Sequence, residues 1–194
     1  VLSLQGDVRE HVSALIACGI DPIEVRRESE LAEVDALVLP GGESTTIAQL
    51  SEIFGIFEPI KQRIAAGMPV YGSCAGMILL ADQILDAKQG QKTFGGLDIT
   101  VRRNAFGRQV DSFETDISFD DGSSELIKAV FIRAPWVEKV GAGITVLASV
   151  DSHPVAVRSA TLLATSFHPE LTADHRIHRY FIEEVAKPAL EKVK

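Results

Sequence analysis

The 194-residue chain has only two cysteines, Cys18 and Cys74. Two thiols cannot build a disulfide framework or a cysteine-rich zinc site. Basic residues are also few: 19 Lys and Arg stand against 27 Asp and Glu, a formal net charge of −8. That deficit argues against nucleic-acid or membrane-surface binding, which calls for a basic excess or patch. No apolar run approaches the roughly 18–20 residues of a membrane span. No secretory n-region and h-region precede the first strand pattern. These absences predict a reduced, cytoplasmic protein. The chain opens at Val1 inside an apolar run, so an initiator methionine and a short lead are expected upstream.

What is present is an alternation of short β-prone runs and helical periodicity. Residues 1–4, 23–26, 36–39 and 69–71 read as strands. Between them, Val8, Val12, Leu15 and Ile16 recur at helical spacing, with Asp7 as cap and Gly19 as stop. Ile47, Leu50, Ile53 and Phe54 mark one face of a helix from residue 44, and 57–66 and 77–85 also read as helices. The second half holds β-prone runs at 99–102, 112–119, 129–133, 145–149, 155–158 and 162–167. A last helix at about 173–186 carries Ile177, Phe181, Ile182 and Val185 on one face. The pattern predicts a single α/β domain over 1–194. Its mostly parallel sheet is covered on both faces, with antiparallel strands added in the second half.

The two cysteines differ in setting. Cys74 stands in Gly72-Ser73-Cys74-Ala75-Gly76, between a buried strand and a helix. Glycines on either side allow the tight turn of a nucleophile elbow. A helix N-terminus favours thiolate, and the Ala75 amide is placed to donate to an oxyanion. The bland alternative is a buried structural thiol. Cys18, near the end of the first helix, reads as a packing residue.

A nucleophilic cysteine needs a base. His168 ends the last strand in Ser166-Phe167-His168-Pro169-Glu170, with Glu170 two residues on as orienter in an extended segment. The alternative is a strand-end histidine beside a solvated glutamate. His11, next to Arg9 and Glu10, reads as surface, and His153 as a turn residue. His175 and His178 have i, i+3 spacing without a second metal motif, so no metal site is expected. The loop Leu39-Pro40-Gly41-Gly42-Glu43-Ser44-Thr45-Thr46 joins another strand to a helix. Its glycines suit a second oxyanion donor at the Gly42 amide, with Glu43 or Ser44 on the substrate. Helix capping by Ser44 fits as well.

Taken together, these residues resemble class I glutamine amidotransferases. The motifs around Gln5-Gly6, Arg9-Glu10-His11, Pro40–Thr46 in the strand-to-helix loop, Arg103-Asn104-Ala105-Phe106-Gly107-Arg108-Gln109 and Phe131-Ile132-Arg133-Ala134-Pro135 narrow the resemblance to glutaminase subunits of pyridoxal 5'-phosphate synthases. The resemblance implies a flavodoxin-like three-layer sandwich that hydrolyses L-glutamine to L-glutamate and ammonia without a cofactor. Ammonia would pass to a synthase subunit, one glutaminase docking per synthase subunit and docking raising the activity. It implies Cys74 as nucleophile, His168 as base and acid, Glu170 as orienter, and Ala75 and Gly42 as oxyanion donors. Gly42, Glu43, Ser44, Arg103, Ile132 and Arg133 would contact substrate. Two rival readings are the glutaminase of another amidotransferase, such as that of imidazole glycerol phosphate synthase, and a non-catalytic thiol module of related fold.

Overall fold

The computed structural model describes residues 1–103, 105 and 112–192. The first half contains α1 (Val8–Ala17), α2 (Glu28–Ala32), β1 (Leu37–Leu39), α3 (Ser44–Ile53), α4 (Phe57–Ala65), β2 (Val70–Ser73), α5 (Ala75–Leu80) and β3 (Ala81–Leu85). The second contains β4 (Leu97–Arg102), β5 (Ser112–Ile117), β6 (Ile127–Ile132), β7 (Trp136–Val140), β8 (Thr145–Val150), β9 (His153–Arg158), β10 (Leu162–Thr165), α6 (Arg176–Tyr180) and α7 (Lys187–Glu191).

The central sheet has the order β1-β2-β10-β9-β8. β1, β2 and β10 run parallel, with Leu37 and Leu162 both opposite Val70, while β9 and β8 are added antiparallel. Residues 1–4 and 23–26 extend it by less than two full strands: Leu2 and Val25 form a single parallel bridge, and the Leu2 amide donates to the Val38 carbonyl at 2.9 Å. Smaller sheets pair β3-β4-β7 and β5-β6.

Side chains on a strand alternate between faces, and here both faces are covered. Leu37, Leu39, Val70, Leu162 and Ala164 enter one core with Ile47 of α3, Ile60 and Ile64 of α4 and Met77 of α5. Val38, Tyr71 and Leu163 enter the other with Leu15 of α1, Ile177 of α6, and Phe181, Ile182 and Val185. This is the three-layer α/β arrangement expected from the sequence. Among the described residues no helix is long and apolar enough to cross a membrane.

Several local expectations differ from the structure. The helix expected over 77–85 stops at Leu80, and Ala81–Leu85 is β3. The Leu79 carbonyl, which a continued helix would need for the Gln83 amide, instead accepts from the Phe94 and Gly95 amides at 2.8 and 3.2 Å. β7 was not foreseen; among the described residues it pairs only with β4, and Val137 is its single buried residue. Ile53 and Phe54 are exposed at the end of α3 rather than packed. The last helix keeps its buried face but passes through a π-helical stretch, Phe181–Ala186, between α6 and α7.

Candidate active site

Parallel strands deliver their C-terminal ends to one edge of the sheet, where α/β proteins gather functional groups. Here β1 delivers the 40–43 loop, β2 delivers Cys74, and β10 delivers His168.

Cys74 caps α5 with φ 47°, a left-handed conformation costly for a residue with a Cβ. Its amide donates to the Thr165 carbonyl at 2.8 Å, and its carbonyl accepts from the Met77 amide at 3.1 Å. Backbone packs directly on backbone around this turn. A Cβ on Gly72 would lie 2.5 Å from the Gly76 carbonyl group, and one on Gly76 would lie 2.4 Å from the Leu39 oxygen. Ala75 is the first residue of α5, so its amide belongs to the turn that lacks intrahelical acceptors. Cys18, by contrast, is half-buried at the end of α1, where burial pushes its thiol pKa up.

His168 and Glu170 meet by a different route from the extended one expected. Pro169 starts a 3-10 turn, Pro169–Leu171, which folds Glu170 back under the ring. The His168 Nδ1 lies 2.7 Å from Glu170 Oε1, and both side chains are buried. Burial alone would lower the His168 pKa. The nearby acceptors Asp7, Cys74 and Glu170 outweigh it and push the value up to about 12. Burial raises the Glu170 pKa, against the opposing pull of His168. The His168 Nε2 has no well-formed hydrogen bond among the described residues, which leaves it for Cys74.

Asp7 is a residue whose role the sequence misassigned. It occupies the cap position of α1 but makes no side-chain capping bond. Its Oδ2 lies 3.3 Å from His168 Nδ1 instead. Gly41 permits this: a Cβ there would lie 2.5 Å from the His168 ring and 2.8 Å from Asp7 Oδ2. His11, expected at the surface, is fully buried on the same helix face as Ala14 and Leu15.

Helix α3, which follows the 40–43 loop, is capped by Glu43, whose carboxylate accepts from the Thr45 amide, and not by Ser44. Ser44 is buried and accepts from Gln91 Nε2 at 3.0 Å. Arg103 Nη2 lies 3.2 Å from Glu43 Oε1, and Lys88 Nζ lies 3.6 Å from the same oxygen. Burial works against ionisation of Glu43, but the Thr45 amide, Arg103 and Lys88 together hold its pKa below the usual carboxylate range. Arg133 follows β6 with φ 43°. Asn104 and residues 106–109 of the expected motif lie outside the described residues.

Cys74, Ala75, His168, Gly42, Glu43, Ser44, Arg103, Ile132 and Arg133 all line one cavity of about 400 Å³. Glu170 sits behind His168 and does not line it. Gln5, Asp7, Ile78 and Lys88 complete the wall and were missed from sequence, Ile78 and Asp7 because helix periodicity and capping already accounted for them. Asp7, His168 and Glu170 offer ligand atoms within 4.8 Å of one another. The Nδ1 atom that faces both carboxylates is bonded to Glu170 Oε1 at 2.7 Å.

The likeness to a known family extends over nearly the whole chain. The SNO glutamine amidotransferase family model matches residues 1–187. The chain belongs to this family. Curated relatives include the pyridoxal 5'-phosphate synthase subunit PdxT of Parafrankia sp. (strain EAN1pec), 63% identical over 185 residues, covering 95% of this chain and 91% of the relative. The subunit of the same name from Streptomyces coelicolor is 60% identical over 185 residues, covering 95% and 92%. A crystal structure of a glutamine amidotransferase superposes with a TM-score of 0.87 at 47% identity, covering 94% of this chain and 95% of that one. Family membership and this likeness agree with the three-layer fold built above.

Proposed function

We propose that Cys74, His168 and Glu170 are the catalytic triad of this family member, which hydrolyses L-glutamine to L-glutamate and ammonia. The ammonia passes to a synthase subunit of pyridoxal 5'-phosphate synthase for vitamin B6 biosynthesis. One observation carries the residue assignment. Cys74, held at φ 47° at the start of α5, opens into the same cavity as His168, whose other face is bonded to Glu170 at 2.7 Å.

The Cys74 thiolate attacks the side-chain amide carbon of glutamine. The carbonyl π pair moves to oxygen, and the amides of Ala75 and Gly42 stabilise that oxyanion. As the tetrahedral species collapses, the C–N bond breaks and His168 protonates the leaving nitrogen, releasing ammonia and a glutamyl thioester. His168 then takes a proton from water. The resulting hydroxide attacks the thioester, and the thiolate leaves with glutamate formed. Glu170 holds the imidazole orientation and stabilises its cation. Arg103 and Arg133 offer positive charge for the substrate α-carboxylate, and Glu43 offers negative charge for its α-ammonium. Ser44 and Ile132 complete the binding wall.

The whole chain, 1–194, serves as one glutaminase domain of a cytoplasmic hetero-oligomer, with one such subunit docked per synthase subunit. Docking gates the reaction through the 40–44 loop. That loop is tied to the segment before α1: the Asp7 amide donates to the Gly41 carbonyl at 3.1 Å and the Glu43 amide to Gln5 Oε1 at 2.9 Å. A partner pressing on that segment can therefore move the oxyanion donor at Gly42.

A glutamine analogue bearing an electrophile tests the triad. The expected result is one label per chain on Cys74, prevented by excess glutamine. Labelling of Cys18 instead, or labelling that glutamine does not prevent, contradicts the proposal and favours a non-catalytic thiol.

A further inference from the structure

Behind Glu170 lies a run of buried polar side chains that the triad chemistry leaves unused. His11 on α1, Ser73 at the end of β2 and His178 on α6 are each fully buried. His11 Nδ1 is 3.0 Å from His178 Nε2. His11 Nε2 is 2.9 Å from Ser73 Oγ and 3.5 Å from Glu170 Oε2. Ser73 Oγ in turn donates to Glu170 Oε1 across a long 3.5 Å. Three elements far apart in sequence thus converge on the carboxylate that accepts the His168 hydrogen bond.

Proton counting sets the direction of this chain. Burial disfavours imidazolium in both rings, lowering the His178 pKa to about 4 and the His11 pKa well below its usual value. Each ring is therefore neutral near pH 7, with a single N–H. The Nδ1 of His178 has no partner among the described residues. A proton there would be a buried donor without an acceptor. It would also force His11 to donate from Nδ1, turning the bare lone pair of its Nε2 toward Glu170 Oε2. The opposite tautomers remove both penalties. His178 donates from Nε2 to His11 Nδ1, His11 donates from Nε2 to Ser73 and toward Glu170, and Ser73 donates to Glu170.

We propose that His11, itself held by His178, is a positioning residue for Glu170. The aligned donors of His178, His11 and Ser73 keep the carboxylate ionised and fix its plane for the bond to His168. This rests on the triad reading above and deepens it. The carboxylate needs such support because it is buried, is repelled by Asp7, and leaves Oε2 without a full hydrogen bond. The other ionisable groups around it are His168, Tyr71 and Cys74, with Arg9, Glu10 and His175 along the cleft on its outer side.

Two measurements test it. In the 15N-labelled chain, long-range 1H–15N imidazole spectra report tautomers; His11 and His178 are both expected as Nε2–H, and Nδ1–H on either ring overturns the proposal. In glutaminase assays with the synthase subunit present, His11→Leu is expected to lower kcat roughly tenfold with little change in KM. Its acid limb is expected to move up by about one pH unit, because Glu170 then protonates more readily. His11→Gln, which keeps an N–H donor at similar reach, is expected to restore that limb. A folded His11→Leu with the wild-type kcat and acid limb overturns the proposal. So does a His11→Gln with the same defect as His11→Leu. Should His11→Leu not fold, His11→Gln and the tautomer spectra decide. Loss of the triad reading looks different: the wild type releases no glutamate, or Cys74→Ala remains active.

Discussion

Asp7 and Glu170 approach the same nitrogen of His168, Oδ2 of Asp7 at 3.3 Å and Oε1 of Glu170 at 2.7 Å. Nδ1 carries one proton, so the shorter contact takes the hydrogen bond and Asp7 acts mainly through its charge. Asp7→Asn keeps the shape and removes the charge. It is expected to lower kcat/KM by roughly threefold to tenfold, with the alkaline limb of the pH profile moving down as His168 loses a stabilising anion. Glu170→Gln is expected to cost far more, on the order of a hundredfold or beyond. Equal losses in the two variants would contradict this division of labour.

Arg103 is one-tenth exposed and paired with Glu43 at the cavity wall. The proposed role as a substrate contact predicts an effect on binding more than on chemistry. Arg103→Ala is expected to raise KM for glutamine roughly tenfold with a smaller change in kcat. Steady-state assays of the complex check this, and an unchanged KM removes Arg103 from the binding set.

His11 and His178, both buried with lowered pKa values, make stability fall in acid. His178 has a folded pKa of about 4 against an ordinary value of 6.5. The unfolded chain therefore binds more protons between those values, and stability falls as pH drops through that window. His11 is shifted in the same direction. His178 alone should remove about 2 kcal/mol between pH 7 and pH 5. Urea unfolding at the two pH values measures it, and His178→Gln should show a visibly smaller drop. An equal drop in that variant assigns the acid sensitivity to other groups.

A Cβ at residue 76 would meet the Leu39 carbonyl oxygen at 2.4 Å, and backbone cannot step aside as a side chain can. Gly76→Ala is expected to destabilise the fold by about 1–3 kcal/mol. It should also slow the enzyme by shifting the turn that presents Cys74. A urea midpoint and activity equal to wild type would show that β1 and α5 can part at no cost.

The sequence made some of these features legible and hid others for physical reasons. The shared cavity of Cys74 and His168 was readable because paired glycines and a strand end mark them, whereas Glu170 was expected beside His168 by an extended route and arrives through a 3-10 turn. The parallel core was readable because Leu37, Val38 and Leu39 form an unbroken apolar run. Asp7 was misread because a capping aspartate and an aspartate aimed at a residue 161 positions away look alike locally. His11 was misread because flanking charges suggested exposure, although Val8 and Leu15 place it on the apolar stripe of α1. The helix expected over 77–85 failed through competition from a distant segment, since the Phe94 and Gly95 amides take the Leu79 carbonyl. Strand β7 was hidden because it is an edge strand, with Glu138 and Lys139 breaking its apolar pattern.

Everything proposed for this chain depends on Cys74 acting as the glutaminase nucleophile and on a partner switching it on. Glutamate release from glutamine, measured with and without the synthase subunit, tests this most directly. The expected result is a rate that rises on adding the synthase, falls by roughly a thousandfold or more in Cys74→Ala, and stays near normal in Cys18→Ala. Near-normal turnover by Cys74→Ala would contradict the nucleophile assignment, and equal wild-type rates with and without the synthase would contradict the gating.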